Sequence, residues 1–395
     1  MFRGLCVSSW RSLFRCFLLG GFSISWFFYG AGRLFAAEFS GFRDVSELPV
    51  RVEMPSPLVT GDGRQIQSVT EWSARREEMK RVLEHYAIGH QAPAPSEVVA
   101  RDVTAEVLMK NGVACKWVRL SFGVEHALGF EVAVMVPQET AAFKAPFPTV
   151  VMPVFSMPPQ DGSWDEMVKT MGEPLRRGYA VVAFNYQQCG LDAPGQRQSG
   201  FFPAYPNADW GCLAAWAWGM SRCVDYLKNQ PFADSSKLIA LGHSRLGKAA
   251  LIAGAFDERF ALTISAGSGC GGTGAYRFNG QGRGGKEGLE DVAKKFPHWF
   301  GPRFGEFSGK VDHLPWDQHW LIALVAPRCF IATDGLDDPY TSENALNQSC
   351  HAARPVYQLL GVPDHLSVHF RPGKHLLAPE DWRAALDFAD QQLRR

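Results

Sequence analysis

The feature that most constrains the fold is a series of five short, almost unbroken apolar runs: "FPTVVMPVF" (147–155), "YAVVAFNY" (179–186), "KLIALG" (237–242), "FALTISAG" (260–267) and "CFIATDG" (329–335). A strand with one wet face alternates apolar and polar residues, whereas a strand covered on both faces has no reason to alternate. Helical stretches such as "DEMVKTMGEPLRRG" and "GCLAAWAWGMSRCVDYLKNQ" lie between the runs. That alternation predicts an α/β fold, a mostly parallel central sheet between two helical layers. Upstream, a Pro-rich lead precedes "SVTEWSARREEMKRVLEHYAIGH", where Met79, Val82, Leu83 and Tyr86 share one helical face and Gly89 marks the stop. No internal repeat, low-complexity tract or linker forces a second domain. The expected organisation is one domain over 38–395, with 38–120 as an N-terminal extension.

The first residues have a different character. Arg3, Arg11 and Arg15 precede an apolar stretch from Cys16 to about Tyr29, and small residues follow at Ala36 and Ala37. This order is that of a secretory signal over 1–37, with a retained anchor as the alternative, so the mature chain is expected to be secreted or periplasmic. No later stretch gives 18 consecutive apolar residues. Seven cysteines follow residue 37, at scattered positions that form neither a disulfide framework nor a C-x-x-C pair. Lysine plus arginine and aspartate plus glutamate balance at 40 each. That balance removes any electrostatic case for a nucleic acid, an anionic membrane surface or a polyanionic ligand. A monomer without cofactor is expected.

Ser244 follows "KLIALG" after one residue, His243, and precedes "KAALIAGAF", a good helix former. Strand, sharp turn and helix around a serine make a nucleophile elbow, in which flanking glycines relieve the crowding. The usual string is G-x-S-x-G, but here "GHSRLG" carries Leu246 at the second glycine position and Gly247 one residue late. The competing reading is an ordinary serine helix cap. A serine nucleophile needs a histidine base and an acid to orient it, in the chain order Ser, Asp or Glu, His for this fold. His375, on the loop "RPGKHLLAPEDW" before a terminal helix opened by Pro379, Glu380 and Asp381, suits the base. His351 and His369 fall inside regular elements. The acid should follow a late strand, where "CFIATDGLDDPYTS" offers Asp334, Asp337 and Asp338. Asp334 is too close to the strand, which leaves Asp337 or Asp338.

These residues, with "FPHWF" (296–300), "LPWDQHWLIALVAPR" (314–328), "PVYQLLG" (355–361) and "GKHLLAPEDW" (373–382), resemble carbohydrate esterase family 15, the glucuronoyl esterases, in its bacterial branch. The resemblance runs from about Pro49 to the C-terminus and accounts for the late glycine, since the family carries G-C-S-R-x-G-K. It implies an α/β-hydrolase fold, a three-layer α/β/α sandwich, and cleavage of 4-O-methyl-glucuronate esters such as those joining xylan to lignin alcohols. It further implies Ser244 as nucleophile, His375 as base, Arg245 as a stabiliser of the oxyanion, and Lys248 and Glu287 on the sugar side. The chain departs from the family at three places. Gly267 in "SAGSGCGG" stands where fungal members place their acid, so that role passes to the later loop, with Asp337 aligning best and Asp338 in reserve. A sugar-stacking tryptophan in that loop is replaced by "DDPYTS", where Tyr340 is the substitute. His243 replaces the cysteine before the serine, which removes a disulfide there.

Other readings are weaker. "GSGCGG" (267–272) follows a strand in the manner of a dinucleotide site, but "TGAYRFNGQGRGG" after it has no helical period. Asp312, His313, Asp317 and His319 gather several possible metal ligands, yet their spacing matches no ligand pattern and Pro315 breaks any helix, so a packing role is expected. Three functions stay open: a uronate esterase, a xylan or pectin acetylesterase on the same fold, and a carbohydrate-binding homologue impaired in catalysis.

Overall fold

The computed structural model describes residues 41–160, 162–280 and 284–394; the expected export signal at 1–37 lies outside the described residues. The strands are β1 (Val98–Asp102), β2 (Val107–Leu108), β3 (Ala114–Phe122), β4 (Leu128–Val136), β5 (Phe147–Val154), β6 (Ala180–Asn185), β7 (Ala233–His243), β8 (Phe260–Ala266), β9 (Cys329–Gly335) and β10 (Leu366–Arg371). They form one sheet in the order β1-β3-β4-β6-β5-β7-β8-β9-β10, with β2 paired to β3. From β6 to β10 every pairing is parallel, while β1, β3 and β4 add an antiparallel edge. The five apolar runs are therefore β5 to β9, in the middle of the sheet. β6 and β9 are buried along almost their whole length, as unbroken runs require.

The helices are α1 (Val69–Leu83), α2 (Asp165–Thr170), α3 (Gly172–Arg176), α4 (Cys212–Leu227), α5 (Arg245–Phe256), α6 (Leu289–Lys295), α7 (His319–Val325), α8 (Glu343–Leu359) and α9 (Pro379–Leu393). One core layer joins Met167 and Met171 of α2 and its C-cap, Leu175 of α3, and Trp382, Leu386 and Phe388 of α9 to alternate strand residues, Val181, Ile239, Leu241, Ile264 and Ile331 among them. On the opposite face α4 and α5 pack together, α4 against β5 and α5 against β7 and β8. The result is the three-layer α/β/α sandwich of an α/β-hydrolase. From Arg43 onward the described residues make one compact unit. β1, β2 and most of β3 come from the stretch expected to be an extension, and they belong to this same sheet.

α1 shows how local signals set an element. Ser68 and Glu71 close a capping box, and Met79, Val82, Leu83 and Tyr86 are all buried. The helix continues as a wider turn to Ile88 and stops at Gly89, whose φ is +77°. The segment before it is tied down by side chains from the motif that resembled metal ligands. His319 Nε2 and Trp320 Nε1 both donate to the Pro55 carbonyl, at 2.7 and 2.8 Å. His313 Nδ1 bonds the Leu48 carbonyl at 2.8 Å. Asp317 accepts from the Tyr276 N–H at 2.7 Å and from Arg277 Nη1 at 3.0 Å. These groups are spent on packing, as expected from the sequence.

Candidate active site

The elbow is built where β7 meets α5. Ser244 stands between them with φ +61° and ψ −130°, a conformation that costs a non-glycine residue on the order of 1–3 kcal/mol and persists only where its surroundings enforce it. Two close approaches enforce it here. A Cβ on Gly242 would collide with the Leu246 carbonyl, and one on Gly247 would stand 2.8 Å from the Ala266 carbonyl and 3.1 Å from that of Gly242. Gly247 is thus the point where the first turn of α5 presses on the ends of β7 and β8, and this is why the glycine arrives late. Ser244 makes no side-chain cap bond to the helix. Its hydroxyl faces His375 Nε2 at 2.8 Å instead.

His375 sits between β10 and α9, on a loop held by a buried arginine. Arg371 donates to Asp381 Oδ2 at 2.6 Å and to the carbonyls of Lys374 and Leu376, which flank the histidine. Asp381 in turn accepts from the Ala378 N–H at 2.7 Å and fixes the start of α9. The other imidazole nitrogen, Nδ1, lies 2.6 Å from Asp338 Oδ2. Asp338 is 1% exposed, and its second oxygen accepts from the Tyr340 N–H at 2.8 Å. Serine, histidine and aspartate are therefore in line, in the arrangement that a nucleophile, base and acid require.

It is Asp338, the reserve candidate, and not Asp337 that the structure sets against the imidazole. The backbone explains the choice. Beyond β9 the chain keeps pairing with the histidine loop, since the Leu336 N–H donates to the Arg371 carbonyl at 2.8 Å and the Asp337 N–H to that of Gly373 at 2.9 Å. A turn then follows, closed by the Asp338 N–H on the Gly335 carbonyl at 3.1 Å. Asp337 faces solvent with its carboxylate on the Gly373 N–H, and Asp338 turns inward. Asp334 is buried at the end of β9. Burial, followed by the charge of Asp338, raises its carboxyl well above the ordinary range.

The remaining expected residues divide. Arg245 opens α5 beside the nucleophile, and its guanidinium pairs with Asp192 and lies 5.1 Å from the Trp299 ring centroid. Because Arg245 is the first helical residue, its N–H is among those with no intrahelical acceptor, which is the position of an oxyanion donor in this fold. Lys248 is 5% exposed and gives two of its protons to the Ser268 and Cys270 carbonyls, at 2.5 and 2.7 Å. The glycine-rich "GSGCGG" thus turns two of its carbonyls onto a lysine. Burial pushes the Lys248 ammonium down, against the opposing charge of Glu287. Glu287 is half-buried, 3.9 Å from Lys295. Tyr340 is 51% exposed and sets its ring edge-on to His375 at 5.0 Å between centroids.

Two further residues carry weight that the sequence did not reveal. Asp192, on the loop after β6, gathers Arg245, His298, Trp299 and Tyr186. His243 packs its ring 4.6 Å from that of His375. Burial, followed by the neighbouring His375, pushes His243 down to about 4, so it is neutral near pH 7. All seven cysteines of the described residues are buried and unbridged.

The family model for fungal glucuronyl esterases matches residues 124–361. The chain belongs to carbohydrate esterase family 15, the glucuronoyl esterases. Within this family of carboxylic ester hydrolases it is similar to carbohydrate esterase MZ0003 of an unknown prokaryotic organism, at 30% identity over 89% of this chain and 91% of that protein. It is equally close to the 4-O-methyl-glucuronoyl methylesterase of Phanerochaete carnosa, 30% identical over 85% of this chain and 79% of the relative. A solved glucuronoyl esterase from Caldicellulosiruptor kristjansonii superposes with a TM-score of 0.71 at 32% identity, over 88% of this chain and 91% of that one. Among the described residues no helix is long and apolar enough to cross a membrane, and no group of three or more His, Cys, Asp or Glu side chains is arranged to hold a metal ion.

Proposed function

We propose that this glucuronoyl esterase cleaves esters of 4-O-methyl-glucuronic acid or glucuronic acid, as in the links between glucuronoxylan and lignin alcohols, through an acyl-enzyme on Ser244. The observation that carries the reading is the continuous Ser244–His375–Asp338 relay at 2.8 and 2.6 Å, in a chain whose curated relatives include 4-O-methyl-glucuronoyl methylesterases. Ser244 Oγ attacks the C6 carbonyl of the uronate while His375 Nε2 takes its proton. Asp338 holds the imidazole in the tautomer that leaves Nε2 free to accept, and it balances the imidazolium that forms. The Arg245 N–H and guanidinium face the developing oxyanion. The imidazolium returns its proton to the departing alcohol, and water, activated by the same histidine, releases the uronic acid. Lys248, Glu287 and Tyr340 are assigned to the sugar side, with the third Lys248 proton available to a hydroxyl.

The reading includes residues 1–37 as an export signal, 38–395 as a single catalytic domain, a secreted or periplasmic location, a monomeric state and a mechanism that uses no cofactor. An inward-facing acid at Asp338 speaks against a homologue impaired in catalysis. The test compares the wild-type protein with Ser244→Ala on benzyl glucuronate and on an acetylated xylo-oligosaccharide. Turnover of the glucuronate ester that Ser244→Ala abolishes is expected. Turnover of the acetyl ester alone refutes the uronate assignment, and equal turnover before and after mutation refutes the nucleophile.

A further inference from the structure

Arg245 can stabilise an oxyanion only if its guanidinium is aimed at the site. A long cationic side chain next to a nucleophile has many rotamers, and a stabilising charge that must be ordered during reaction contributes much less than one already in place. The group that orders it is a single carboxylate. Asp192, with a side chain 5% exposed, receives four donors from separate parts of the chain: Arg245 Nη1 at the start of α5, Tyr186 Oη at 3.0 Å just after β6, and His298 Nε2 at 2.9 Å and Trp299 Nε1 at 2.7 Å from the "FPHWF" segment. Burial alone would push the carboxyl pKa up. The bonds from His298, Trp299 and Arg245 outweigh burial and hold the carboxyl well below its ordinary range. Tyr186 is pushed up to about 12, by burial first and then by the Asp192 charge, so its hydroxyl keeps its proton and donates. The indole that Asp192 anchors is the one whose ring lies 5.1 Å from the Arg245 guanidinium and 5.7 Å from the Lys248 ammonium. Phe296 stacks on this indole at 3.9 Å, 5° from coplanar, and its own ring lies 5.7 Å from the same guanidinium.

We propose that Asp192 is the positioning residue of this esterase: one buried carboxylate fixes Arg245 beside Ser244 and anchors the Trp299 wall against the same guanidinium. It touches no reacting atom and acts through Arg245. The inference rests on the esterase reading, and within it Asp192 separates a preordered oxyanion site from a merely charged one.

The test is a double-mutant cycle of Asp192→Asn and Arg245→Ala in the full chain, read on benzyl glucuronate and on 4-nitrophenyl acetate. The acetate reports the serine relay and oxyanion site without any uronate. Asp192→Asn is expected to lower kcat about tenfold or more while KM moves within about threefold, because the loss falls on the transition state. In the Arg245→Ala background the same change is expected to add less than about threefold, because the residue it acts through is gone. Free guanidinium ion is expected to restore part of the activity of Arg245→Ala, and none in the double variant, where its carboxylate partner is missing. Losses that multiply across the cycle, or rescue that persists without Asp192, overturn the proposal. If Asp192→Asn does not fold, Asp192→Glu, which keeps the charge but displaces it, takes its place in the cycle with the same outcomes expected. Failure on benzyl glucuronate with an intact cycle on the acetate would instead refute the uronate reading and leave the role of Asp192 standing.

Discussion

Replacing Asp338 by Asn removes a charge and keeps the shape, and the hydrogen bonds around it dictate what the amide must do. Asp338 Oδ1 accepts from the Tyr340 N–H at 2.8 Å and Oδ2 faces His375 Nδ1 at 2.6 Å. The Asn oxygen has to stay on Tyr340, since two N–H groups cannot face each other at that distance. Its NH₂ then points at His375 Nδ1 and forces that nitrogen to accept, which puts the imidazole proton on Nε2, against the Ser244 hydroxyl. The base enters the reaction with its lone pair on the wrong side. For a serine hydrolase this tautomer error costs about ten-thousandfold in kcat, about 5.4 kcal/mol of transition-state stabilisation. KM should change little, because the acid does not touch substrate. Steady-state kinetics on benzyl glucuronate measure both constants, and thermal unfolding confirms that the fold is kept. Asp337→Asn is the control. Its exposed carboxylate accepts from the Gly373 N–H at 3.3 Å, a role the amide oxygen keeps, so kcat should stay within about threefold. A near-normal Asp338→Asn together with an inactive Asp337→Asn would refute the assignment of the acid.

Three other outcomes follow from the packing and the charges. Gly247→Ala puts a methyl 2.8 Å from the Ala266 carbonyl and 3.1 Å from Ser268 Cβ, so overpacking of about 1–3 kcal/mol offsets the gain of about 1 kcal/mol in helix propensity. Lower kcat and no gain in melting temperature are expected; a more stable and fully active variant would show the contact to be slack. Arg371→Met strands the buried Asp381 and frees the histidine loop, at a cost of about 3–5 kcal/mol in urea unfolding, part of which Arg371→Met/Asp381→Leu should recover. His319 is fully buried with its pKa pushed from 6.5 down to about 4, by burial first. The unfolded chain therefore takes up a proton below about pH 6.5 that the folded chain refuses until about pH 4. Stability from this group is complete above pH 6.5 and falls by about 1.4 kcal/mol per pH unit between those values. His319→Gln should flatten the curve of urea midpoint against pH in that window, and parallel curves would contradict the shift.

The serine and histidine were legible because each is announced by its immediate neighbours: a strand, a glycine-relieved turn and a helix for Ser244, and a proline-opened helix for His375. The five central strands were legible for a similar reason, since burial on both faces writes itself into an unbroken apolar run. Asp338 was not separable from Asp337, because the two are adjacent and only the pairing of residues 336–337 with the histidine loop decides which one turns inward. Asp192 left no local signal at all. Its partners lie 53, 106 and 107 residues away, and also six, and no periodicity connects a loop aspartate to them. The antiparallel edge was only half visible, since β3 mixes buried and exposed positions and carries the polar Lys116, Arg119 and Ser121. In each case the deciding contacts are made by parts of the chain that the local sequence does not specify: backbone pairing for Asp338 and the edge strands, side-chain bonds for Asp192.

The place of the acid has its own physical logic. A Cβ on Gly267 would stand 3.0 Å from His243 Nε2 and 3.5 Å from His375 Cε1, so position 267 borders the base, but His243 fills the space a side chain there would need. An imidazole has one Nδ1 proton to give, and Asp338 already accepts it from the end of the neighbouring strand. His243, Gly267 and Asp338 therefore form a consistent set: the first excludes an acid at the second and leaves the work to the third. In an Asp338→Asn background, Gly267→Glu should restore nothing while His243 is present. With His243→Ala added, recovery of about tenfold or more is expected, even though a glutamate at φ +53° costs on the order of 1–2 kcal/mol. Recovery with His243 in place would show that the imidazole excludes nothing. No recovery in the triple variant would show that a side chain from position 267 does not reach the base, and the relocation would then need a cause elsewhere in the loop.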